Sequence, residues 1–220
     1  MNLNKYTTYI FDVDGTLYYK KSVQVEMALQ LIGYYAVHLN KIKELFLLKE
    51  YRELREREDI TGNQGFEQEI RLRLSRKYKI NQKQVDEIID KWIMKRPLTL
   101  IKKYRDTSLL SWIQKLQREH KNIYVYSDYP VEDKIHMLEL DVDEMYWPDG
   151  KIILTLKPDP AGLQNILTIN QLDCSDVIFI GDRYKKDGLC AKGAGIDFLI
   201  LEKTKRKRIA QYRTIGEISS

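Results

Sequence analysis

The chain has 220 residues, of which 43% are hydrophobic and 31% are charged, and it carries a formal net charge of +5. This composition excludes a disordered chain, and the length suffices for one ordinary domain with an inserted module. Two cysteines, Cys174 and Cys190, provide neither a disulfide framework nor a paired metal-ligand spacing. Since no apolar run approaches the roughly 18 residues of a membrane helix, we expect a cytoplasmic protein that does not bind membranes.

The first predicted element is a short buried strand, "TTYIFD" at residues 7–12, which runs directly into a pair of acids. Asp12 and Asp14 are one residue apart, and the strand period of two predicts that both lie on the same side. Gly15 permits a tight turn after them. A surface turn alone would also explain an Asp-Gly pair, so the motif needs support from the rest of the chain.

The next segment, residues 20–96, predicts about four helices and no strand. One apolar helical face is predicted for Ala28, Leu31, Ile32, Tyr35, Ala36 and Leu39. The stretch "ITGNQG" at residues 60–65 breaks the helical pattern. Asn81 and Gln84 resemble a capping box at the start of a later helix, which we expect Pro97 to end.

From about residue 109 the chain alternates between helix and strand. Strands are predicted at residues 122–127, 144–148, 176–182 and 197–201, with helices between them. This alternation predicts an α/β fold with a parallel sheet. The basic run "KTKRKR" at 203–208 has no interleaved aromatic residues, so we interpret it as a solvated segment and expect no nucleic-acid binding.

Polar side chains follow several predicted strands, at the point where each ends. They are Asp12, Asp14, Ser127, Lys157, Asp182 and Asp187. Ligands of open parallel sheets bind at the carboxyl ends of the strands. Crowded carboxylates repel one another unless a cation such as Mg²⁺, which takes oxygen ligands, lies among them. With a lysine and a hydroxyl for phosphoryl oxygens, the set predicts a phosphoryl-transfer site, in which one carboxylate is the nucleophile and another the general acid and base.

Each of these residues also has a simpler interpretation. Ser127 could cap the next helix, Lys157 could be a surface lysine, and Asp187 could be an acid at the start of a helix. These alternatives weaken when the positions are taken together, because four segments from distant parts of the chain meet the same chemical requirement.

Four segments in order, "DVDGT", "YVYS", "LKPDP" and "IFIGDRYKKD", resemble the motifs of the haloacid dehalogenase (HAD) superfamily of phosphotransferases. The resemblance implies a Rossmann-like, doubly wound parallel sheet as the catalytic core, made of residues 1–17 and 98–220. Residues 18–97 resemble the inserted, all-helical cap of the family's C1 subgroup, which closes over the site.

The resemblance implies a role for each acid. Asp12 is expected to be the nucleophile, forming an aspartyl-phosphate, and a ligand of Mg²⁺. Asp14 is expected to protonate the leaving oxygen, to activate water and to reach the metal through its backbone carbonyl. Asp182 is expected to bind Mg²⁺, and Asp187 to support the metal site mostly from outside the ligand set. Family dehalogenases lack the second acid of the first motif, so Asp14 favours phosphate esters.

The phosphoryl group is expected to be held by Thr16, Ser127 and Lys157, with Lys157 also neutralising Asp12. Asp128 stands where the family more often has asparagine, and its extra negative charge leaves its role open.

The implied function is that of a Mg²⁺-dependent phosphatase acting on a small phosphorylated metabolite, such as a sugar phosphate, a nucleotide or phosphoglycolate. We expect a monomer or a homodimer. Two alternatives stay open: a phosphomutase of the β-phosphoglucomutase type, and a non-catalytic phosphate-binding regulatory module.

Overall fold

The computed structural model describes residues 2–55, 65–148 and 151–218. The chain forms two compact units, Met1–Ser22 with Ile101–Ser220, and Val23–Leu100. Of the predicted break at 60–65, only Gly65 lies within the described residues. Among those residues, none of the helices has both the length and the apolar character needed to cross a bilayer.

The first unit contains a parallel sheet whose five strands lie in the order β3-β2-β1-β4-β5. The strands are β1 (Thr8–Phe11), β2 (Asn122–Tyr126), β3 (Glu144–Tyr146), β4 (Val177–Gly181) and β5 (Asp197–Ile200). The predicted parallel α/β sheet is therefore confirmed. Its first strand in sequence is its central strand in space.

The helices were largely predicted by the apolar patterns. In chain order they are α1 (Lys20–Val37), α2 (Lys43–Leu54), α3 (Phe66–Tyr78), α4 (Gln82–Ile89), α5 (Arg96–Lys103), α6 (Thr107–Arg118), α7 (Glu132–Leu138), α8 (Ala161–Ile169), α9 (Leu189–Ala194) and α10 (Lys205–Ile215). Two π-helical turns, Asp90–Lys95 and Tyr184–Gly188, precede α5 and α9.

Helices cover both faces of the sheet. Successive side chains of the buried central strand point to opposite faces, and each set packs against helices on its own side. Ile10 belongs to a core that also contains Phe179 of β4 and residues of α8 and α9. On the opposite face, the rings of Tyr9 and Phe11 meet Trp112 of α6 edge to face, with centroids 5.6 and 6.2 Å apart. This arrangement is the doubly wound, Rossmann-like one.

The regular elements described in the second unit are all helices, and they bury apolar stripes. The buried side chains include Leu47, Leu48, Tyr51 and Leu54 of α2, Phe66, Ile70 and Leu74 of α3, and Val85 and Ile89 of α4. The predicted capping box is present at the start of α4. The Gln84 N–H donates to Asn81 Oδ1 at 2.8 Å, and the Asn81 N–H donates to Gln84 Oε1 at 3.1 Å.

Two local predictions in this part of the chain are wrong. Helix α1 forms, but Ala28, Ile32 and Ala36 of its predicted apolar face are exposed. Of that face only Tyr35 is fully buried, and the helix also buries Val23 and Met27, which the prediction did not include. Pro97 does not end the helical segment, because the turn before it is π-helical. There the Arg96 N–H donates to the carbonyl of Lys91, five residues back, and a proline without an N–H can follow within α5.

The contact between α8 and β2 generates a prediction. A Cβ atom at Gly162 would overlap the buried hydroxyl of Tyr126, which makes no hydrogen bond to the described residues. We expect Gly162→Ala to lower the free energy of unfolding by about 1–3 kcal/mol through overpacking. In a Tyr126→Phe background the same change should cost much less, and urea unfolding measures both.

Gly33→Ala is the matched control, because a Cβ atom there meets nothing within 4 Å. That exposed helical substitution should stabilise the protein slightly. Equal costs of Gly162→Ala in the two backgrounds would contradict the proposed overlap with the hydroxyl.

Candidate active site

The carboxyl ends of β1, β2 and β4 meet at one edge of the sheet. Phe11 is aligned with Val125 on β2 and with Ile180 on β4. The backbone N–H of Asp12 continues this pairing by donating to the carbonyl of Ile180 at 2.8 Å. The residues that directly follow these three strands therefore lie side by side, although they are far apart in sequence.

A buried cluster of three carboxylates lies at this edge. One oxygen each of Asp12, Asp182 and Asp187 lies within 4.8 Å of the others. The Nζ atom of Lys157 lies 2.6 Å from Asp12 Oδ1 and 2.8 Å from Asp187 Oδ1. Lys157 is only 1% exposed, so its charge is compensated within the protein rather than by water. The cluster thus sets one ammonium group against three carboxylates.

The turn after β1 closes the cluster from one side. Gly15 has a φ of +110°, and a Cβ atom there would lie 2.5 Å from Asp182 Oδ2. Both the backbone conformation and the close approach therefore require glycine. The next residue, Thr16, is buried and its hydroxyl donates to Asp12 Oδ2 at 2.9 Å. The turn holds one oxygen of Asp12, and Lys157 holds the other.

Asp187 reaches the cluster from the π-helical turn after β4. Its Oδ2 atom accepts hydrogen bonds from the backbone N–H groups of Asp182, at 3.2 Å, and Arg183, at 2.9 Å. Asp187 therefore binds Lys157 with one oxygen and orients the backbone of Asp182 with the other. The five-residue spacing between the two acids is what permits this arrangement.

Ser127 and Asp128 follow β2, and the structure gives Asp128 clear partners. Ser127 is fully buried, and its Oγ atom accepts from the backbone N–H of Tyr129 at 3.3 Å. Asp128 Oδ1 accepts from the backbone N–H of Lys157 at 3.1 Å. Its other oxygen lies 3.4 Å from Lys186 Nζ. Asp128 thus anchors the Lys157 loop, and its negative charge faces a cation.

Arg183 is a second cation beside Asp128. Sequence reasoning selected neither Arg183 nor Lys186. An Nη2 to Oδ2 distance of 3.5 Å joins Arg183 to Asp128, and Nε lies 3.6 Å from Asp182 Oδ1. Both cations belong to the "DRYKKD" segment that contains two of the predicted acids. Their position within that motif was the available signal.

Asp14 lies outside the three-carboxylate cluster. Its two oxygens lie 2.7 Å from the Nζ atom of Lys134 on α7, and its Oδ1 accepts from the hydroxyl of Tyr18 at 2.5 Å. Strand alternation cannot relate Asp12 to Asp14, because β1 ends at Phe11. Sequence reasoning missed Lys134, which stands on an amphipathic helix without any motif.

The pKa values of the four acids Asp12, Asp14, Asp182 and Asp187 are shifted in different directions. Burial raises the pKa of Asp12 from 3.8 to about 6, against the effect of Lys157, and the neighbouring carboxylates add to the rise. Burial and Asp187 also raise the pKa of Asp182. Burial opposes ionisation of Asp187 as well, but Lys157 outweighs it and the Asp187 pKa is lowered.

The pKa of Asp14, unlike those of Asp12 and Asp182, is lowered. Burial by itself raises the pKa of this carboxyl, but the ammonium groups of Lys134 and Lys20 outweigh burial and hold the pKa below its ordinary value. Asp14 is therefore a carboxylate at neutral pH.

The cluster fits a hard divalent cation. Its donors are carboxylate oxygens at mutual distances compatible with a shared ion. The buried Oδ1 atom of Asp182 accepts no hydrogen bond from the described residues. Arg183 Nε lies 3.6 Å from this oxygen without donating a hydrogen bond to it, so an acceptor position beside two further carboxylates is left for a bound cation.

Comparison with models of known protein families identifies the family of this chain. The model of the haloacid dehalogenase-like hydrolase family matches residues 6–195. The chain belongs to this family. Haloacid dehalogenase-like hydrolases generally use a divalent metal, in keeping with the carboxylate cluster. No curated protein sequence matches the chain.

Solved structures of several activities share the fold of this haloacid dehalogenase-like hydrolase. A 2-haloacid dehalogenase from Pseudomonas syringae pv. Tomato DC3000 is 16% identical, with 89% of this chain and 86% of that chain covered and a TM-score of 0.63. A putative β-phosphoglucomutase from Thermotoga maritima is 18% identical, with 90% and 86% covered and a TM-score of 0.53. A predicted phosphoglycolate phosphatase from Haemophilus somnus 129PT is 16% identical, with 90% and 86% covered and a TM-score of 0.51.

The electrostatics of the cluster predict an unusual effect of Asp12→Asn. Because the Asp12 pKa is higher in the folded than in the unfolded protein, the metal-free protein should lose stability as the pH rises from 3.8 to about 6. Asparagine mimics the neutral acid, so at pH 7.5 in EDTA the variant should be more stable, by up to about 3 kcal/mol at roughly 1.4 kcal/mol per pH unit.

Urea unfolding in EDTA and in MgCl₂ measures this effect. Added Mg²⁺ should stabilise the wild type more than the variant, because the variant offers the cation one carboxylate fewer. Asp141→Asn, at an exposed loop position, controls for the substitution itself and should change little. An Asp12→Asn variant less stable than the wild type in EDTA would contradict the predicted cost of a buried, charged Asp12 in the metal-free protein.

Proposed function

We propose that this protein is a Mg²⁺-dependent phosphatase that hydrolyses phosphate monoesters through an aspartyl-phosphate. The observation that carries the proposal is the buried cluster of Asp12, Asp182 and Asp187 around Lys157. Such a cluster needs a further cation, and Mg²⁺ takes oxygen ligands. An ammonium group and a bound cation together suit a dianionic phosphoryl group.

In the first step, an oxygen of Asp12 attacks the phosphorus and the bond between phosphorus and the ester oxygen breaks. Protonated Asp14 gives its proton to that oxygen, which leaves as an alcohol. Thr16, Ser127 and Lys157 hold the phosphoryl oxygens. The proposed nucleophile is already oriented for this step, because Lys157 and Thr16 each hold one of its oxygens.

In the second step, water attacks the phosphorus of the aspartyl-phosphate, Asp14 accepts a proton from it, and Asp12 is released with inorganic phosphate. Asp14 enters this step as a carboxylate, the form that Lys134 and Tyr18 stabilise in the free protein. For the first step Asp14 must carry a proton, so Lys134 must release it when the ester binds.

Bound Mg²⁺, held by Asp12, Asp182 and the backbone carbonyl of Asp14, would neutralise the cluster and stabilise the charge on the transferring oxygens. Asp187 supports this site through the backbone of Asp182 and through Lys157. Asp182 Oδ1 lies 3.6 Å from Arg183 Nε but accepts no hydrogen bond within the described part of the chain, which supports its assignment as a ligand.

The proposed substrate is a small phosphorylated metabolite, such as a sugar phosphate, a nucleotide or phosphoglycolate. In this proposal residues 1–17 and 98–220 are the catalytic core, and residues 18–97 are a helical cap that selects the substrate. A cytoplasmic monomer or homodimer is part of the same proposal.

Three other activities compete with this one. Some solved relatives of this fold are haloacid dehalogenases, but dehalogenases of the family lack the acid that Asp14 supplies here. A phosphomutase would use the same acids, and one structural neighbour is a putative β-phosphoglucomutase. A regulatory module would bind phosphate without turnover.

The test is phosphate release from a panel of phosphorylated metabolites, with MgCl₂ or EDTA. We expect release only with Mg²⁺. Asp12→Asn and Asp14→Asn should each reduce it by about 10³-fold or more, because one removes the nucleophile and the other the proton donor. Asp141→Asn is the control with the same chemical change on the surface, and it should retain wild-type turnover.

Each competing activity gives a different result. Chloride release from a 2-haloacid that survives Asp14→Asn would favour a dehalogenase. An isomerised sugar phosphate without free phosphate would favour a mutase. Tight Mg²⁺-dependent phosphate binding with no turnover of any substrate would favour the regulatory module.

A further inference from the structure

Arg208 of α10 is the one member of the basic run 203–208 that is fully buried, whereas Lys203 and residues 205–207 are exposed. The expectation of a solvated segment is therefore wrong for Arg208. A buried guanidinium group is costly unless its donors are satisfied and its charge is paired. Its partners consequently indicate what its position requires.

Those partners are two carbonyls of the turn after β1, one acid and a carbonyl of the segment that precedes α10. Nη2 donates to the carbonyl of Gly15 at 2.8 Å, and Nη1 donates to the carbonyl of Thr16 at 2.8 Å and to Asp106 Oδ2 at 3.1 Å. Nε donates to the carbonyl of Glu202 at 2.7 Å. One planar group therefore joins the turn after β1, the N-terminus of α6 and the start of the C-terminal helix.

Asp106 is itself fixed, so the guanidinium group has a rigid counter-ion. Asp106 is 1% exposed and accepts from the Tyr212 hydroxyl at 2.8 Å. Its other oxygen caps α6 by accepting from the Leu109 N–H at 3.2 Å. Its backbone N–H donates to the carbonyl of Leu17 at 2.9 Å, which ties it to the same loop.

The two carbonyls that Arg208 binds belong to the peptide groups on either side of Thr16. Each peptide group is planar, so fixing both carbonyls fixes the backbone of Thr16 at both ends. The Thr16 hydroxyl in turn donates to Asp12 Oδ2 at 2.9 Å. Arg208 thus controls, without contacting the carboxylate cluster, where a hydroxyl meets the proposed nucleophile.

We propose that Arg208 is a positioning residue of the active site: it clamps both peptide groups that flank Thr16, and through the Thr16 hydroxyl it orients Asp12. This inference rests on the proposed phosphatase function for its kinetic part. In this proposal helix α10 helps to position the active site, although it contributes no reacting group to it.

The test is a double-mutant cycle of Arg208→Lys with Thr16→Val, read in the kcat for phosphate release. Lysine keeps the charge but cannot reach both carbonyls with one planar fork. In the wild-type background we expect kcat to fall at least tenfold with a KM change of less than threefold. In the Thr16→Val background Arg208→Lys should lower kcat less than threefold, because the hydroxyl it positions is gone.

Arg206→Met is the control, since Arg206 is an exposed arginine on the same helix, and it should retain wild-type kcat. A merely structural role of Arg208 predicts equal losses in both Thr16 backgrounds, and that result would overturn the proposal. So would an Arg208→Lys variant with wild-type kcat.

Amide hydrogen exchange tests the clamp without any substrate. The N–H groups of Thr16 and Leu17 donate to the carbonyl of Val13 at 3.3 and 3.2 Å. Arg208→Lys should speed exchange of these two amides at least tenfold while leaving those of β4 within twofold. Unchanged exchange at Thr16 and Leu17 would overturn the proposal, even if wild-type phosphatase activity is found.

The same measurement separates the two proposals. If the wild type hydrolyses no ester but the exchange at Thr16 and Leu17 responds as expected, the phosphatase function fails and the clamp stands. If Arg208→Lys does not fold, Asp106→Asn replaces it in both experiments, because it removes the counter-ion that anchors Arg208. Its expected effects have the same sign, and their absence would overturn the proposal.

Discussion

Repulsion among buried carboxylates is the constraint on which the rest of this molecule depends. A parallel sheet gathers the residues that follow its strands, and here it gathers three acids where little water can screen them. Lys157 neutralises part of this charge, because its ammonium group pairs with Asp12 and Asp187 and its backbone N–H is held by Asp128. Its single charge does not balance the three carboxylates, which is why the cluster fits a bound cation.

The neighbourhood of the cluster follows from the same constraint. Asp128 brings a further negative charge, and Lys186 and Arg183 face it. Asp14 is kept apart from the cluster and has a separate counter-ion, Lys134. Two carboxyl groups two residues apart in sequence consequently have pKa shifts of opposite sign.

The sequence predicted what depends on local pattern. The five strands could be predicted because short apolar runs alternate with helical ones, and residues that follow strands could be selected because parallel strands end at a common edge. Lys134 and Arg208 could not, since each meets a partner more than a hundred residues away and stands on a helix without a motif. Which side of α1 is exposed could not be predicted for a related reason. An apolar stripe predicts which side of a helix is buried, but several sides of α1 are apolar and only packing selects among them.

The central position of β1 has a consequence for the order of events on the ribosome. Thr8 pairs with Asn122, 114 residues later in the chain, so the strand that precedes Asp12 has no neighbouring strand until β2 has been synthesised. Residues 23–100, which form a compact unit of their own, emerge in that interval. Arg208 then reaches back 192 residues to the turn after β1. The turn after β1 is therefore synthesised early but gains its Arg208 contacts late, and a nascent chain carries Asp12 long before it can bring Asp182 and Asp187 beside it.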